Sequence, residues 1–217
     1  MAKRMMIWGL GVSITAVLLF ALSGRWTDPW LWSFVVAWAA TTFYGLAGID
    51  DDLARERFRP PAKGADPVAL QFVRLFGLAH LVLGALDTGR WHVATVDPAL
   101  RAFSLAVMVI TFGMFFRAMH ENRFFSAVVR VQSDRAHRVV DTGPYSVVRH
   151  PGYAGLLLAM PFAGLALGSF ISAGIGVALS LMVVRRVMFE DAFLRQNLEG
   201  YSDYAARVPH RLIPRVW

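Results

Sequence analysis

The sequence predicts an all-α, polytopic membrane protein of about six transmembrane helices, with a C-terminal helical hairpin and a cytosolic C-terminal helix. Three observations lead there. Of 217 residues, 56% are apolar and only 17% charged, against about 45–50% and about 25% in soluble domains. Several runs of membrane-spanning length carry no charge. The basic residues behind the net charge of +7 collect in alternate connecting segments. With no cysteine in the chain, a disulfide framework, a thiolate metal site and a cysteine nucleophile are excluded.

Met5–Gly24 and Pro29–Ile49 are uncharged runs of 20 and 21 residues, and about 20 suffice to cross a bilayer. Lys3 and Arg4 before the first run resemble the start of a signal peptide, but no small-residue cleavage site is clear and a second span follows at once. The first run is therefore expected to be a retained helix. The third span, Val68–Leu86, contains Gln71, Arg74 and His80. Arg74 lies near one end, where its stem can snorkel, and His80 is expected to hydrogen-bond a neighbouring helix. The fourth, Ala102–Phe116, has 15 uncharged residues between Arg101 and Arg117. At about 22 Å it must extend into its flanks or tilt little.

Pro151–Val184 holds 34 residues without a charge. As one helix it would measure about 51 Å, too long for a hydrocarbon core of about 30 Å. It must turn back, and Gly164, Gly168, Ser169 and Gly174 mark the bend. Residues near Pro151 and near Glu190 are then brought together. With the N-terminus inside, 18 of the 22 basic residues, Lys63 among them, fall in inner segments. Arg25, Arg90 and Arg101 fall in outer loops, and Arg74 within a span. This follows the positive-inside rule. It implies a bacterial-type inner-membrane protein with both termini on the cytoplasmic side, its basic face near membrane lipids. Nothing reads as a nucleic-acid motif, and no histidine pair has metal-ligand spacing.

The chain divides into 1–116, four membrane helices, and 117–217, where polar groups gather on both sides of the hairpin. The loop Asp50–Pro67 is charged and carries Arg59-Pro60-Pro61. Arg117–His150 alternates basic and aromatic residues, as a piece lying at the interface would. Gly143-Pro144 makes a turn, and Pro151 suits the first turn of a helix whose free amides can bind an anion or a ring nitrogen. Arg149 and His150 stand just ahead, with Tyr145 and Tyr153 as flat faces for an adenine or a cation. Singly, these residues also read as anchors for lipid phosphates and as an aromatic belt. Glu190 and Asp191 adjoin a span, where acids are scarce, and Arg186 shares a helix face with Glu190. They read either as an interfacial ion pair or as a carboxylate site for an amine, ribose hydroxyls or a sulfonium.

The order of the pieces resembles the integral membrane methyltransferases related to isoprenylcysteine carboxyl methyltransferase and the phospholipid N-methyltransferases. The matching residues are His137 with Val139-Val140, Gly143-x-Tyr145 and Arg149-His150-Pro151-x-Tyr153-x-Gly155. After the hairpin come Arg186-x-x-x-Glu190-Asp191, Gly200-Tyr201-x-x-Tyr204 and Arg211-Leu212-Ile213-Pro214. Where the family often carries consecutive glutamates, the second here is Asp191. The resemblance covers about Arg117–Trp217.

It implies S-adenosylmethionine as cofactor, held by His137, Val139, Gly143, Tyr145, Arg149, His150, Tyr153, Glu190 and Asp191. Val139 would contact the adenine through its backbone. Glu190 or Asp191 would accept from the amino group or ribose hydroxyls, and Arg149 or His150 would meet the cofactor carboxylate. The acceptor is expected to be lipophilic and to enter from the bilayer. An ionised carboxylate acceptor needs no base and can be oriented by Arg186 or Arg149. A lipid amine must lose a proton, for which Glu190 is a candidate. Two rivals stand beside this reading. Sterol-type reductases share Arg-His-Pro-x-Tyr-x-Gly and use NADPH, but commonly carry an acid after the glycine, where this chain has Leu156. A non-catalytic lipid-binding protein is the other.

Overall fold

The computed structural model describes residues 2–60 and 64–217; Pro61 and Lys63, read above as loop residues, lie outside them. Every element among the described residues is helical. In order they are α1 (Ala2–Ser23), α2 (Pro29–Ala47), α3 (Asp51–Phe58), α4 (Pro67–Leu86), α5 (Pro98–Glu121), α6 (Pro151–Leu167), α7 (Phe170–Asn197) and α8 (Tyr201–Arg207). A π turn, Asp87–Trp91, continues α4. Among the described residues five helices are long and apolar enough to cross a membrane. The sixth expected span, α6, has 17 residues, about 26 Å, and is the short arm of the hairpin. Met6, Ile7, Leu10, Ile14 and Val17 of α1 are all exposed, and only 11% of that helix's most apolar window is buried. Lipid is the solvent that suits such a surface, so the chain is an integral membrane protein.

Local chemistry sets the helix starts. Asp28 and Asp97 each precede a proline, and their carboxylates accept from Trp30 N, and from Ala99 N and Leu100 N. Each thus satisfies free amides of a first turn. The fourth span extends into both flanks, becoming the 24 residues of α5. Arg101, expected in an outer loop, lies inside that helix and is buried. Its Nη2 donates to Leu167 O at 2.8 Å, and its guanidinium carbon sits 5.1 Å from the centre of the Trp30 ring.

The hairpin bends at Gly168 and Ser169. Gly168 has φ +93°, a left-handed cap that favours glycine, and Ser169 caps α7 by accepting from Ser172 N. Of the other expected bend residues, Gly164 lies inside α6 and Gly174 inside α7. A Cβ on Gly164 would fall 2.2 Å from Ala173 N, and one on Gly176 2.5 Å from Met160 O. One on Gly155 would fall 2.5 Å from Thr111 O of α5. The backbones of α5, α6 and α7 therefore touch closely through missing side chains, the usual basis of helix association in lipid.

At the hairpin end the bundle is solid. Leu19, Phe20, Leu31, Phe34, Met108 and Leu167 form its core. Arg25 and Arg90, expected in outer loops, cross between the first and fourth helices there, donating to Thr88 O and Leu22 O. In the first turn of α7, Ser172 Oγ lies 2.8 Å from His80 Nδ1 of α4. His80 thus bonds a neighbouring helix, as expected.

The opposite end is polar. There residues 48–60 and 64–66, residues 122–150 and the C-terminal tail meet. Asp50 caps α3, a helix not read from the sequence, by accepting from Leu53 N at 2.7 Å. Glu56 of α3, 2% exposed, receives Arg130 Nη2 at 2.7 Å and the Ser126 hydroxyl at 2.7 Å. Burial disfavours its charge, but these donors prevail and hold its carboxyl below the usual glutamate value. The tail returns to the corner before α6, where Arg149 N donates to His210 O and His150 N to Arg211 O. The amides of Arg149 and His150, just ahead of α6, are thus used within the fold.

Candidate active site

A cavity of about 300 Å3 opens within the polar end, within the usual range of ligand pockets, about 300–1,000 Å3. His137, Val139, Tyr145, Arg149, His150, Tyr153, Arg186 and Glu190 all line it. Residues separated by the hairpin are therefore brought together. The same cavity continues between α4, α6 and α7 as an apolar arm lined by Leu70, Val73, Gly77, Leu156, Met160 and Met182.

At its centre Tyr153 bridges two groups of α7. Arg186 Nε donates to the Tyr153 hydroxyl at 2.7 Å, and that hydroxyl donates to Glu190 Oε2 at 2.7 Å. Arg186 and Glu190, four residues apart on one helix face, are 4.0 Å apart directly. Arg186 also donates to Ala127 O at 2.7 Å. The result is a carboxylate held in place on the cavity wall, with a cation behind it.

His137 lines the same cavity, its ring tilted against that of Phe124 with 4.5 Å between centres. Its Nδ1 accepts from Gln132 N at 3.2 Å, which puts the proton of the neutral ring on Nε2. Burial, with the nearby Arg130 and Arg135, depresses its pKa to about 4. Near neutral pH His137 is thus an uncharged donor at the cavity wall. Tyr145 donates to Ala118 O at 3.3 Å, and its carbonyl accepts from the Tyr204 hydroxyl at 2.7 Å. Burial pushes the phenols of Tyr145 and Tyr204 above the ordinary value.

Three expected residues serve differently. Gly143 does not line the cavity. It has φ +54° in the turn before Tyr145, and a Cβ there would lie 2.7 Å from Glu121 Oε2. Asp191 does not line it either. Its carboxylate receives Arg149 Nε at 2.7 Å, Tyr201 Oη at 3.0 Å, Arg211 Nε at 3.1 Å and Arg195 Nε at 3.3 Å. Arg149, although on the wall, is committed to Asp191 and to Val208 O. The Arg149–Asp191 pair thus joins the corner, α7, α8 and the tail.

The sequence did not point to Arg57, which also lines the cavity. It was legible only as one charge in a charged loop, with no motif around it. Among the described residues no group of three or more His, Asp or Glu could hold a metal ion.

The Isoprenylcysteine carboxyl methyltransferase (ICMT) family model matches residues 101–196. The chain is 32% identical over 92 residues to Protein-S-isoprenylcysteine O-methyltransferase B of Arabidopsis thaliana, covering 40% of this chain and 45% of that protein. It therefore spans less than half the length of that relative. It is 29% identical over 170 residues to the Cobalt-zinc-cadmium resistance protein CzcN of Cupriavidus metallidurans, covering 77% of this chain and 68% of that protein. With Protein-S-isoprenylcysteine O-methyltransferase of Schizosaccharomyces pombe it shares 27% identity over 222 residues, 94% of this chain and 88% of that one. The match to the isoprenylcysteine carboxyl methyltransferase family model thus covers less than half of the chain and takes in Arg149, His150, Tyr153, Arg186, Glu190 and Asp191.

Proposed function

We propose that this protein is a membrane methyltransferase that takes S-adenosylmethionine at the polar end of its cavity and a lipophilic acceptor in the apolar arm. The observation that carries the reading is the continuity of the two environments. One cavity runs from His137, Tyr153 and Glu190 to Leu70, Val73 and Met182. A water-soluble cofactor and a bilayer-borne acceptor can meet there without either crossing the other's solvent.

The residues present fit the cofactor. A pinned carboxylate, a neutral imidazole donor, tyrosine faces and apolar walls match a group with an amine, ribose hydroxyls, an adenine and a sulfonium. When bound, S-adenosylmethionine supplies a methyl group already activated by the positive charge on sulfur. The protein's tasks are then alignment and exclusion of water. Glu190 is oriented by Tyr153, and His137 Nε2–H is a donor on the cavity wall. Val139 lies beside it on the cavity wall. His150 packs edge-near to Tyr153, ring centres 5.9 Å apart, and Arg149 with Asp191 acts by fixing this corner. Methylation of a carboxylate requires no base. A lipid amine would pass its proton to Glu190. The names of the plant and yeast relatives favour oxygen as the acceptor atom.

In this reading residues 117–217 hold the cofactor and residues 1–116 supply membrane helices and the acceptor side of the cavity. The distribution of basic residues supports a site and termini facing the cytoplasm. The test is incubation of the purified protein and a membrane lipid extract with methyl-labelled S-adenosylmethionine, followed by identification of the labelled product. The cofactor should also stabilise the fold, by about 2.7 kcal/mol at a hundred times its Kd. Stabilisation by NADPH with none by S-adenosylmethionine would support the reductase reading instead, and stabilisation by neither the lipid-binding one.

A further inference from the structure

We propose that Arg57, on α3 and outside the family-matched segment, is the residue that receives the anionic group of the acceptor. The inference rests on the methyl-transfer reading of the cavity and adds to it a recognition residue from the N-terminal part of the chain.

The argument is one of commitments. Five arginines line the cavity: Arg57, Arg130, Arg138, Arg149 and Arg186. Arg130 is paired with Glu56 at 2.7 Å and Asp134 at 2.8 Å. Arg149 is paired with Asp191. Arg186 is held by the Tyr153 hydroxyl and Ala127 O. Arg138 is exposed. Arg57 differs from all of these. Among the described residues it has no carboxylate within ion-pair distance, and its one hydrogen bond is from Nη1 to Ser126 O at 3.3 Å. A guanidinium carries five N–H donors, so most of its capacity is unused.

Its position is nevertheless fixed. The guanidinium carbon lies 5.5 Å from the centre of the Phe115 ring and 5.4 Å from that of Phe125. The next residue back, Glu56, fastens α3 to Ser126 and Arg130. A planar cation held by two rings, with its donors free beside Tyr153, Arg186 and Glu190, is a preorganised receptor for a planar or tetrahedral anion. Burial lowers its pKa, Tyr153 and Glu190 counteract that, and the neighbouring Arg186 adds to it. Two guanidinium groups against the single carboxylate of Glu190 leave positive charge that an acid on an apolar tail would neutralise.

Binding of S-farnesyl-N-acetylcysteine and of its primary carboxamide, which share a tail and differ in head charge, tests this. Both are measured on wild-type protein in detergent, on Arg57→Gln and on Arg57→Met, which keeps an unbranched stem between the two rings. Wild type should prefer the acid by about tenfold or more, the scale of a charge-assisted hydrogen bond. Both variants should lose that preference while retaining stabilisation by S-adenosylmethionine. A wild type indifferent to head charge, or variants that keep the preference, would overturn the assignment. So would variants that lose the cofactor's effect instead, since Arg57 would then belong to the cofactor. A wild type that S-adenosylmethionine does not stabilise would defeat the methyltransferase reading. The acid-to-amide ratio, being a cofactor-free binding measurement, would still judge Arg57. If Arg57→Gln fails to fold, Arg57→Met decides.

Discussion

Glu190 and Asp191 are consecutive on α7 and point to different places. Glu190 lines the cavity and accepts from Tyr153 at 2.7 Å. Asp191 is 1% exposed and turned into Arg149, Arg195 and Arg211. Successive helical residues differ by about 100° in direction, so two adjacent acids hold a ligand site and a structural joint respectively.

That division predicts opposite responses to similar changes. Asp191→Ala leaves Arg149 buried without its partner, and removing one member of a buried pair costs about 3–5 kcal/mol. Thermal unfolding in detergent should show this loss. Glu190→Ala should leave the unfolding midpoint near the wild-type value yet abolish stabilisation by S-adenosylmethionine.

Tyr153→Phe removes the hydroxyl between Arg186 and Glu190 while keeping the ring. One charge-assisted hydrogen bond on each side is lost, each worth about 1.5–3 kcal/mol. Methyl transfer should fall by about tenfold or more, and the unfolding midpoint should fall as well. Undiminished turnover would show that the bridge has no part in holding Glu190.

His137 should make the fold sensitive to mild acid. Its folded pKa, about 4, lies below the ordinary 6.5. The unfolded chain therefore binds the proton first as pH falls. The contribution is intact above about 6.5 and is lost as pH drops from there toward 4. His137→Phe, compared with wild type by unfolding midpoint across that range, should have the shallower pH dependence.

Gly168→Ala tests the hairpin bend. The left-handed backbone costs a residue bearing a Cβ about 1–2 kcal/mol. The added Cβ would also fall 2.7 Å from Cζ of Arg101. The unfolding midpoint should fall by more than that of Gly174→Ala, where a Cβ meets open space.

Much of this architecture was legible because lipid imposes a simple rule, that spans are long and uncharged. The 34-residue run without a charge requires a turn, and Gly168-Ser169 supplies it. The approach of Tyr153 to Glu190 follows from that turn alone. Arg101 was misplaced because a charge bounds an uncharged run even when, as here, its head caps a neighbouring helix and lies over the Trp30 ring. Helix α3 escaped because its eight residues, five of them charged, are too few to show an apolar stripe; only Asp50 as cap and the acid-to-base order of Asp51, Asp52, Arg55 and Arg57 marked it. Arg57 escaped with it. The different fates of Glu190 and Asp191 depend on side-chain direction, which a motif does not record.

The close backbone contacts at Gly155, Gly164 and Gly176 leave α5, α6 and α7 as fixed staves of a barrel with no slack between them. The fourth helix is fastened to α7 toward the hairpin end, where His80 meets Ser172, and again just before its start, where Asp66 receives Arg185 at 3.2 Å, whereas Gly77 between them has nothing within 4 Å of the place a Cβ would occupy. Any breathing that admits a bilayer molecule to the apolar arm therefore falls to the stretch of α4 between those two anchors.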